Sequence, residues 1–141
     1  MRVSEIMSND PVTVSPRQTL AEAAALMAQI DAGFLPVGED DKLVGMLTDR
    51  DIAIRGIGAG RGPDAMVGEA MTQDVCYCFE DDDVTTVAQN MGDQQIRRIP
   101  VVNREKRLVG VLSLGDLAGR GDALAAGEAL AEVAQPGDRH N

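Results

Sequence analysis

Aromatic side chains are nearly missing from this chain, with no tryptophan, one tyrosine and two phenylalanines among 141 residues. A core must then be assembled from Ala, Val, Leu, Ile and Met. Halves of about 60 residues built that way are marginal alone, so packed halves and a homodimer are expected. Histidine is also scarce: the single His140 lies in a polar tail. One terminal histidine cannot orient a nucleophile, and no His-Glu-x-x-His run offers a metal instead. The chain therefore reads as non-catalytic, with no cofactor.

Basic residues are outnumbered, 13 Lys and Arg against 23 Asp and Glu, for a formal net charge of −10. Without a basic run or aromatic–basic interleaving, nucleic acid is excluded as a partner. No apolar stretch approaches the roughly 20 residues that span a bilayer, and Met1–Glu5 leads into no signal-peptide core. The expectation is a soluble cytoplasmic protein with no membrane partner. Only two cysteines occur, Cys76 and Cys78, one residue apart. On a strand both would point to one face, in poor disulfide geometry. They read as small apolar side chains on a buried strand face, and a thiolate metal site would need further ligands.

What the chain does contain is a duplication. Met7 matches Met71, Asp10 matches Asp74, Met27 matches Met91 and Pro36 matches Pro100, all at one spacing. One residue is then gained in the polar stretch Asn103–Arg107, after which Gly45 matches Gly110 and Asp51 matches Asp116. A hairpin loop tolerates such an insertion. Each copy opens with an extended piece (Pro11–Val14, then Val75–Cys78) and continues into a helix, about Leu20–Ile30 and Val84–Gln94. Thr19 with Glu22 has the spacing of a capping box, and Asp83 is a good N-cap. Leu20, Ala24 and Met27, matched by Val84, Ala88 and Met91, form the expected helical stripe. Two strands follow, Phe34–Val37 with Leu43–Leu47 and Ile99–Val102 with Leu108–Leu112, joined by the charged loops Gly38–Lys42 and Asn103–Arg107.

The fold class is thus α/β (α+β), strand-helix-strand-strand-helix taken twice. Repeat 1 covers residues 1–56, a glycine-rich linker 57–66, repeat 2 residues 67–119, and a short C-terminal helix with a disordered tail 120–141. Gly56–Pro63 has neither the G-x-G-x-x-G nor the Gly-Lys-Ser/Thr pattern of a phosphate loop. In Ala123–Ala134, Leu124, Leu130 and Val133 are expected on one helix face, suited to a dimer contact. Residues Pro136–Asn141 are expected to be disordered.

The motif that repeats most closely is Leu-Val-Gly-Met-Leu-Thr-Asp-Arg-Asp (Leu43–Asp51), which returns as Leu-Val-Gly-Val-Leu-Ser-Leu-Gly-Asp (Leu108–Asp116). Thr48 or Ser113 sits where a helix begins, three residues before Asp51 or Asp116. The pair serves as a helix cap. It also puts a hydroxyl, a carboxylate and free backbone N–H groups together, a set able to hold the phosphate and sugar of a nucleotide. Arg97 and Arg98 stand ahead of Ile99-Pro100 in the second copy, where the first has Gly33-Phe34 ahead of Leu35-Pro36.

This pattern of Val/Thr-rich strand, helix, x-Pro-Val strand, Leu-Val-Gly-x-Leu-Thr/Ser-x-x-Asp and helix resembles the CBS domain. Two in tandem resemble a Bateman module, over Val3–Gly56 and Val67–Gly119, and the whole looks like the small stand-alone stress-associated CBS proteins of bacteria. The resemblance implies repeats packed about a pseudo-two-fold axis, with adenosine-containing ligands (AMP, ADP, ATP or S-adenosylmethionine) bound in clefts between them. It would put ribose on Asp51 and Asp116 and phosphate near Thr48 and Ser113. Adenine would lie against Val12, Thr13 and Val14, against Cys76, Tyr77 and Cys78, and beside Leu35-Pro36 and Ile99-Pro100. Arg97 and Arg98 would neutralise phosphate, making the two sites unequal. A sensor without an attached effector domain implies an effector protein or a change in self-association as readout. The alternatives are a ligand-free interaction dimer whose Thr/Ser-x-x-Asp pairs only cap helices, and a metal-dependent variant using Cys76 and Cys78.

Overall fold

The computed structural model describes residues 1–121 and 123–135; His140 and the expected disordered stretch Pro136–Asn141 lie outside them. In chain order the elements are β1 (Ser8–Asn9), α1 (Leu20–Ile30), β2 (Phe34–Glu39), β3 (Lys42–Thr48), α2 (Asp49–Asp51), α3 (Val67–Ala70), β4 (Cys78–Phe79), α4 (Val84–Gln94), β5 (Arg98–Val102), β6 (Leu108–Ser113), α5 (Leu114–Arg120) and α6 (Ala123–Val133). A 3-10 turn covers Val3–Glu5, and α2 runs on through a π-helical turn, Ile52–Gly56, into a 3-10 turn, Ile57–Ala59. The expected linker thus begins in ordered helical structure.

The helices start where the sequence supplies caps. The Thr19 hydroxyl accepts the Glu22 N–H at 3.1 Å, and Asp83 accepts from Thr85 N at 3.1 Å and Thr86 N at 3.4 Å. Both helices end on a left-handed residue, Asp31 and Gln95. The hairpin between β2 and β3 is tighter than the expected Gly38–Lys42 loop. Glu39 pairs with Lys42, and Asp40 and Asp41 both take positive φ, 53° and 63°. Two consecutive left-handed residues match the twist of the flanking strands, so pairing continues to the end of each. The longer β5–β6 loop is held by Asn103, whose side-chain oxygen accepts the Glu105 and Arg107 N–H groups at 3.1 and 2.9 Å.

Two compact units form, and they cut across the sequence repeats: Val12–Val75 is one, and Met1–Pro11 joins the chain from Cys76 onward in the other. In the continuous unit, Val14, Leu20, Ala23, Met27, Leu35, Val37, Leu47, Val67 and Ala70 make the core. The β2–β3 pair is bordered by a parallel bridge Val14–Val37 and an antiparallel bridge Met46–Thr72. The composite unit has the sheet order β1-β6-β5-β4, with β4 parallel to β5. Val3, Ile6 and Met7 enter its core beside Val84, Val87, Met91, Val101, Leu112 and Leu117. The exchange is repeated bond for bond. Val3 N donates to Asp82 O and Ser4 N to Glu80 O, and at the matching positions Val67 N donates to Gln18 O and Gly68 N to Pro16 O.

Two expectations about helix faces are corrected. Ala23, not Ala24, completes the buried stripe of α1, whereas Ala88 is buried in α4. The difference comes from α6, which packs on α4 and so covers a second face that α1 leaves open. Helix α6 itself turns Ala125, Ala126, Ala129 and Val133 inward, while Leu124 and Leu130 are 73% and 46% exposed. Alanines face α4 because the approach there is close: a Cβ on Gly92 would stand 3.2 Å from the Ala129 Cα.

The glycine of each Leu-Val-Gly run is explained by the crossing segment. A Cβ on Gly110 would lie 2.6 Å from the Met7 sulfur and 2.7 Å from the Ser8 carbonyl oxygen, and one on Gly45 would lie 2.7 Å from the Met71 sulfur and 2.9 Å from the Thr72 carbonyl. Backbone cannot swing aside as a side-chain end can. Gly110→Ala is expected to lower stability by about 1–3 kcal/mol, as overpacking does, by displacing β1 from β6. Urea unfolding checks this, and wild-type stability in that variant contradicts the close approach.

Candidate functional site

In each unit a strand hands over to a helix through the same pair of reciprocal bonds. Asp51 N donates to the Thr48 hydroxyl at 3.0 Å while Thr48 N donates to Asp51 Oδ2 at 3.1 Å. Asp116 N donates to the Ser113 hydroxyl at 3.0 Å while Ser113 N donates to Asp116 Oδ2 at 3.1 Å. All four residues are half-buried. The cap occupies only one oxygen of each carboxylate. In the continuous unit the other, Asp51 Oδ1, faces Arg55 Nε at 3.9 Å. For Asp116 Oδ1, no hydrogen bond or ion pair occurs among the described residues.

The sheet decides what stands next to each cap. Ser113 is the register partner of Arg98, and Leu114 N donates to the Arg97 carbonyl at 3.0 Å. Thr48 is the register partner of Phe34, and Asp49 N donates to the Gly33 carbonyl at 2.9 Å. Two exposed arginines therefore flank one junction, and a glycine with a buried phenylalanine flanks the other. A cavity of about 480 Å³ opens in the composite unit beside Arg97, Arg98 and Ser113. Leu114, Gly115 and Ala118 continue its wall, and Ala123, Ala126, Gly127 and Leu130 of α6 close the far side. The sequence reading missed α6 as a wall. Its signal was a glycine in the middle of an alanine-rich helix.

The remaining sequence-predicted residues divide by exposure. Val14, Leu35, Pro36, Cys78, Ile99 and Pro100 are buried, whereas Val12, Thr13, Cys76 and Tyr77 are exposed. Neither Asp116 nor Cys76, Tyr77 and Cys78 line the cavity at Arg97 and Arg98. The two cysteines do not share a buried face. Strand β4 begins only at Cys78, so alternation does not extend back to Cys76, which is exposed. Tyr77 meets Phe79 edge-on, ring centroids 5.8 Å apart. Among the described residues no group of three or more His, Cys, Asp or Glu is placed to hold a metal ion, and no helix is long and apolar enough to cross a membrane.

A duplicated α/β unit whose copies exchange a segment, each with a hydroxyl–carboxylate cap between strand and helix, defines the class as a tandem pair of small α/β repeats. The CBS domain matches residues 3–56 and 67–121, and the chain belongs to that family. It is 43% identical over 116 residues to the CBS domain-containing protein YhcV of Bacillus subtilis, covering 82% of each chain. Among solved structures it resembles Hypoxic Response Protein I with two coordinated zinc ions, at 37% identity and TM-score 0.77, covering 84% of this chain and 98% of that one. It also resembles the CBS domain pair of protein MJ0100 in complex with 5-methylthioadenosine and S-adenosyl-L-methionine, at 31% identity and TM-score 0.74, covering 84% and 94%.

Burial pushes the Cys78 thiol up to about 12, helped by the nearby Asp82 charge. At neutral pH a thiol reagent should modify Cys76 promptly and Cys78 only on unfolding. The folded state keeps the Cys78 proton that the unfolded chain releases above about pH 9, so stability should fall from there up to about pH 12. Two equally fast thiols in the native protein would contradict this burial.

Proposed function

We propose that this CBS pair is a non-catalytic regulatory module that binds an adenosine-containing ligand, with ribose hydroxyls on Asp116 and the phosphate end drawn toward Ser113, Arg97 and Arg98. The observation that carries the reading is the divided use of the aspartate. Oδ2 holds the helix cap, which leaves Oδ1 of a half-buried carboxylate to accept from a ribose hydroxyl. A carboxylate held by its own backbone is already oriented, so little freedom is lost when a sugar docks. Support comes from the related MJ0100 pair, which is complexed with S-adenosyl-L-methionine and 5-methylthioadenosine.

The two junctions are unequal ligand sites. At Thr48–Asp51, Arg55 faces the second oxygen and a buried Phe34 takes the place of Arg98. An anionic nucleotide therefore prefers Ser113–Asp116. Ligand changes the protein only to the extent that it binds one arrangement better than another, and the readout is an effector protein or a change in a cytoplasmic homodimer.

Calorimetric titration with AMP, ADP, ATP and S-adenosylmethionine tests this. Charge-assisted hydrogen bonds contribute roughly 1.5–3 kcal/mol, so Asp116→Ala should weaken binding about 10- to 150-fold, and Asp51→Ala should weaken it less. Flat titrations with all four, or an unchanged affinity in Asp116→Ala, would leave the two pairs as helix caps in a ligand-free dimer.

A further inference from the structure

We propose that the cavity closed by α6 takes a small organic monoanion with an apolar body, its charged head at Arg97 and Arg98, which it would share with the phosphate end of the proposed nucleotide, and its body against Ala126, Gly127 and Leu130. Helix α6 lies beyond the stretch matched by the CBS domain, which ends at residue 121. The wall is thus added to the repeat rather than part of it. At about 480 Å³ the space falls within the range of small-molecule pockets.

Four observations set the chemistry of the occupant. Gly127 stands in the interior of α6, where glycine costs stability relative to alanine. It serves neither a positive φ nor a close packing contact, since a Cβ there would have nothing within 4 Å. Gly92, by contrast, is needed for the approach of α6 to α4. Gly127 lines the cavity, so a long side chain there would occupy the space. Leu130, on the same wall, leaves nearly half its surface exposed, which favours an apolar body.

The head is set by charge. Arg17, Arg55, Arg61 and Arg104 each face a carboxylate within 4.0 Å. Arg97 and Arg98, like Arg2, Arg50 and Arg120, have no such partner among the described residues, and of these only Arg97 and Arg98 line the cavity. Two adjacent unpaired guanidiniums at a cavity mouth select an anion. The body is not a sugar. Ser113 is the one hydroxyl on the wall, and the α6 side offers only Ala, Gly and Leu. Sugar hydroxyls set against that α6 wall would find no side-chain partner there, which is costly. A carboxylate or sulfonate on a compact hydrocarbon fits, and its apolar body makes no use of Asp116.

The probe is 8-anilinonaphthalene-1-sulfonate added to the full chain, followed by fluorescence, with decanoate as competitor. Saturable binding of one probe per chain is expected, displaced by decanoate. Gly127→Leu fills the space and favours the helix, so it should weaken binding at least tenfold with an unchanged or higher melting temperature. Arg97→Gln with Arg98→Gln, both at exposed positions, should weaken it at least tenfold and flatten its salt dependence. No saturable binding, wild-type affinity in folded Gly127→Leu, or wild-type affinity in the double arginine variant would each overturn the proposal. Nucleotide titration of Asp116→Ala reports separately on the adenosine reading.

Discussion

A hydroxyl and a carboxylate three residues apart, each accepting the other's backbone N–H, are the constraint on which both units turn. The bonds at Thr48–Asp51 and at Ser113–Asp116 agree in length. They end an apolar strand and start a helix within a single turn. The first N–H groups of a helix have no partner within it. Here two of the groups at each junction are satisfied by one oxygen of the carboxylate and the neighbouring hydroxyl, so the cap leaves the other oxygen unused. Capping alone accounts for Oδ2; the second oxygen faces Arg55 in Asp51 and has no partner among the described residues in Asp116.

The exchange of segments gives these junctions their surroundings. The chain passes over the glycine of each Leu-Val-Gly run at Met7 and Met71, and the residues that follow, Ser8 and Asn9 or Thr72, pair with the strand that ends in the cap. A side chain at Gly45 or Gly110 would meet backbone, so the residue is required by approach rather than by conformational freedom. Neither compact unit is then a contiguous repeat with its own leading segment. The core of the composite unit needs Val3, Ile6 and Met7 from the far end of the chain, as a chain poor in aromatics must use the apolar surface it has.

Much of this was legible in advance. Helices α1 and α4 begin and end where Thr19, Asp83 and the apolar spacing put them, and the strand pairs differ only at their ends. The Thr/Ser-x-x-Asp junctions and the neighbouring Arg97 and Arg98 could be found because the motif occurs twice and the copies differ beside it. Other features depend on packing partners that a local pattern does not reveal. Ala88 is buried and its counterpart Ala24 is not because α6 covers α4 alone. Leu124 and Leu130 are exposed because α6 turns its alanines inward, with Ala129 close against Gly92. Cys76 is exposed because β4 is shorter than alternation implied. The crossing segments were hidden because sequence similarity marks repeats, whereas contacts mark units, and here the two differ.

The account depends on the second oxygen of the junction aspartate being available to a sugar while the first stays on its cap. Backbone amide NMR during titration with AMP observes both ends of that bond pair. Saturable shifts should concentrate at Ser113, Asp116 and Arg97–Ile99, with smaller ones at Thr48 and Asp51, and the Ser113 and Asp116 amides should remain protected from hydrogen exchange. Shifts confined to other parts of the chain, or loss of protection at Ser113 as ligand binds, would contradict it.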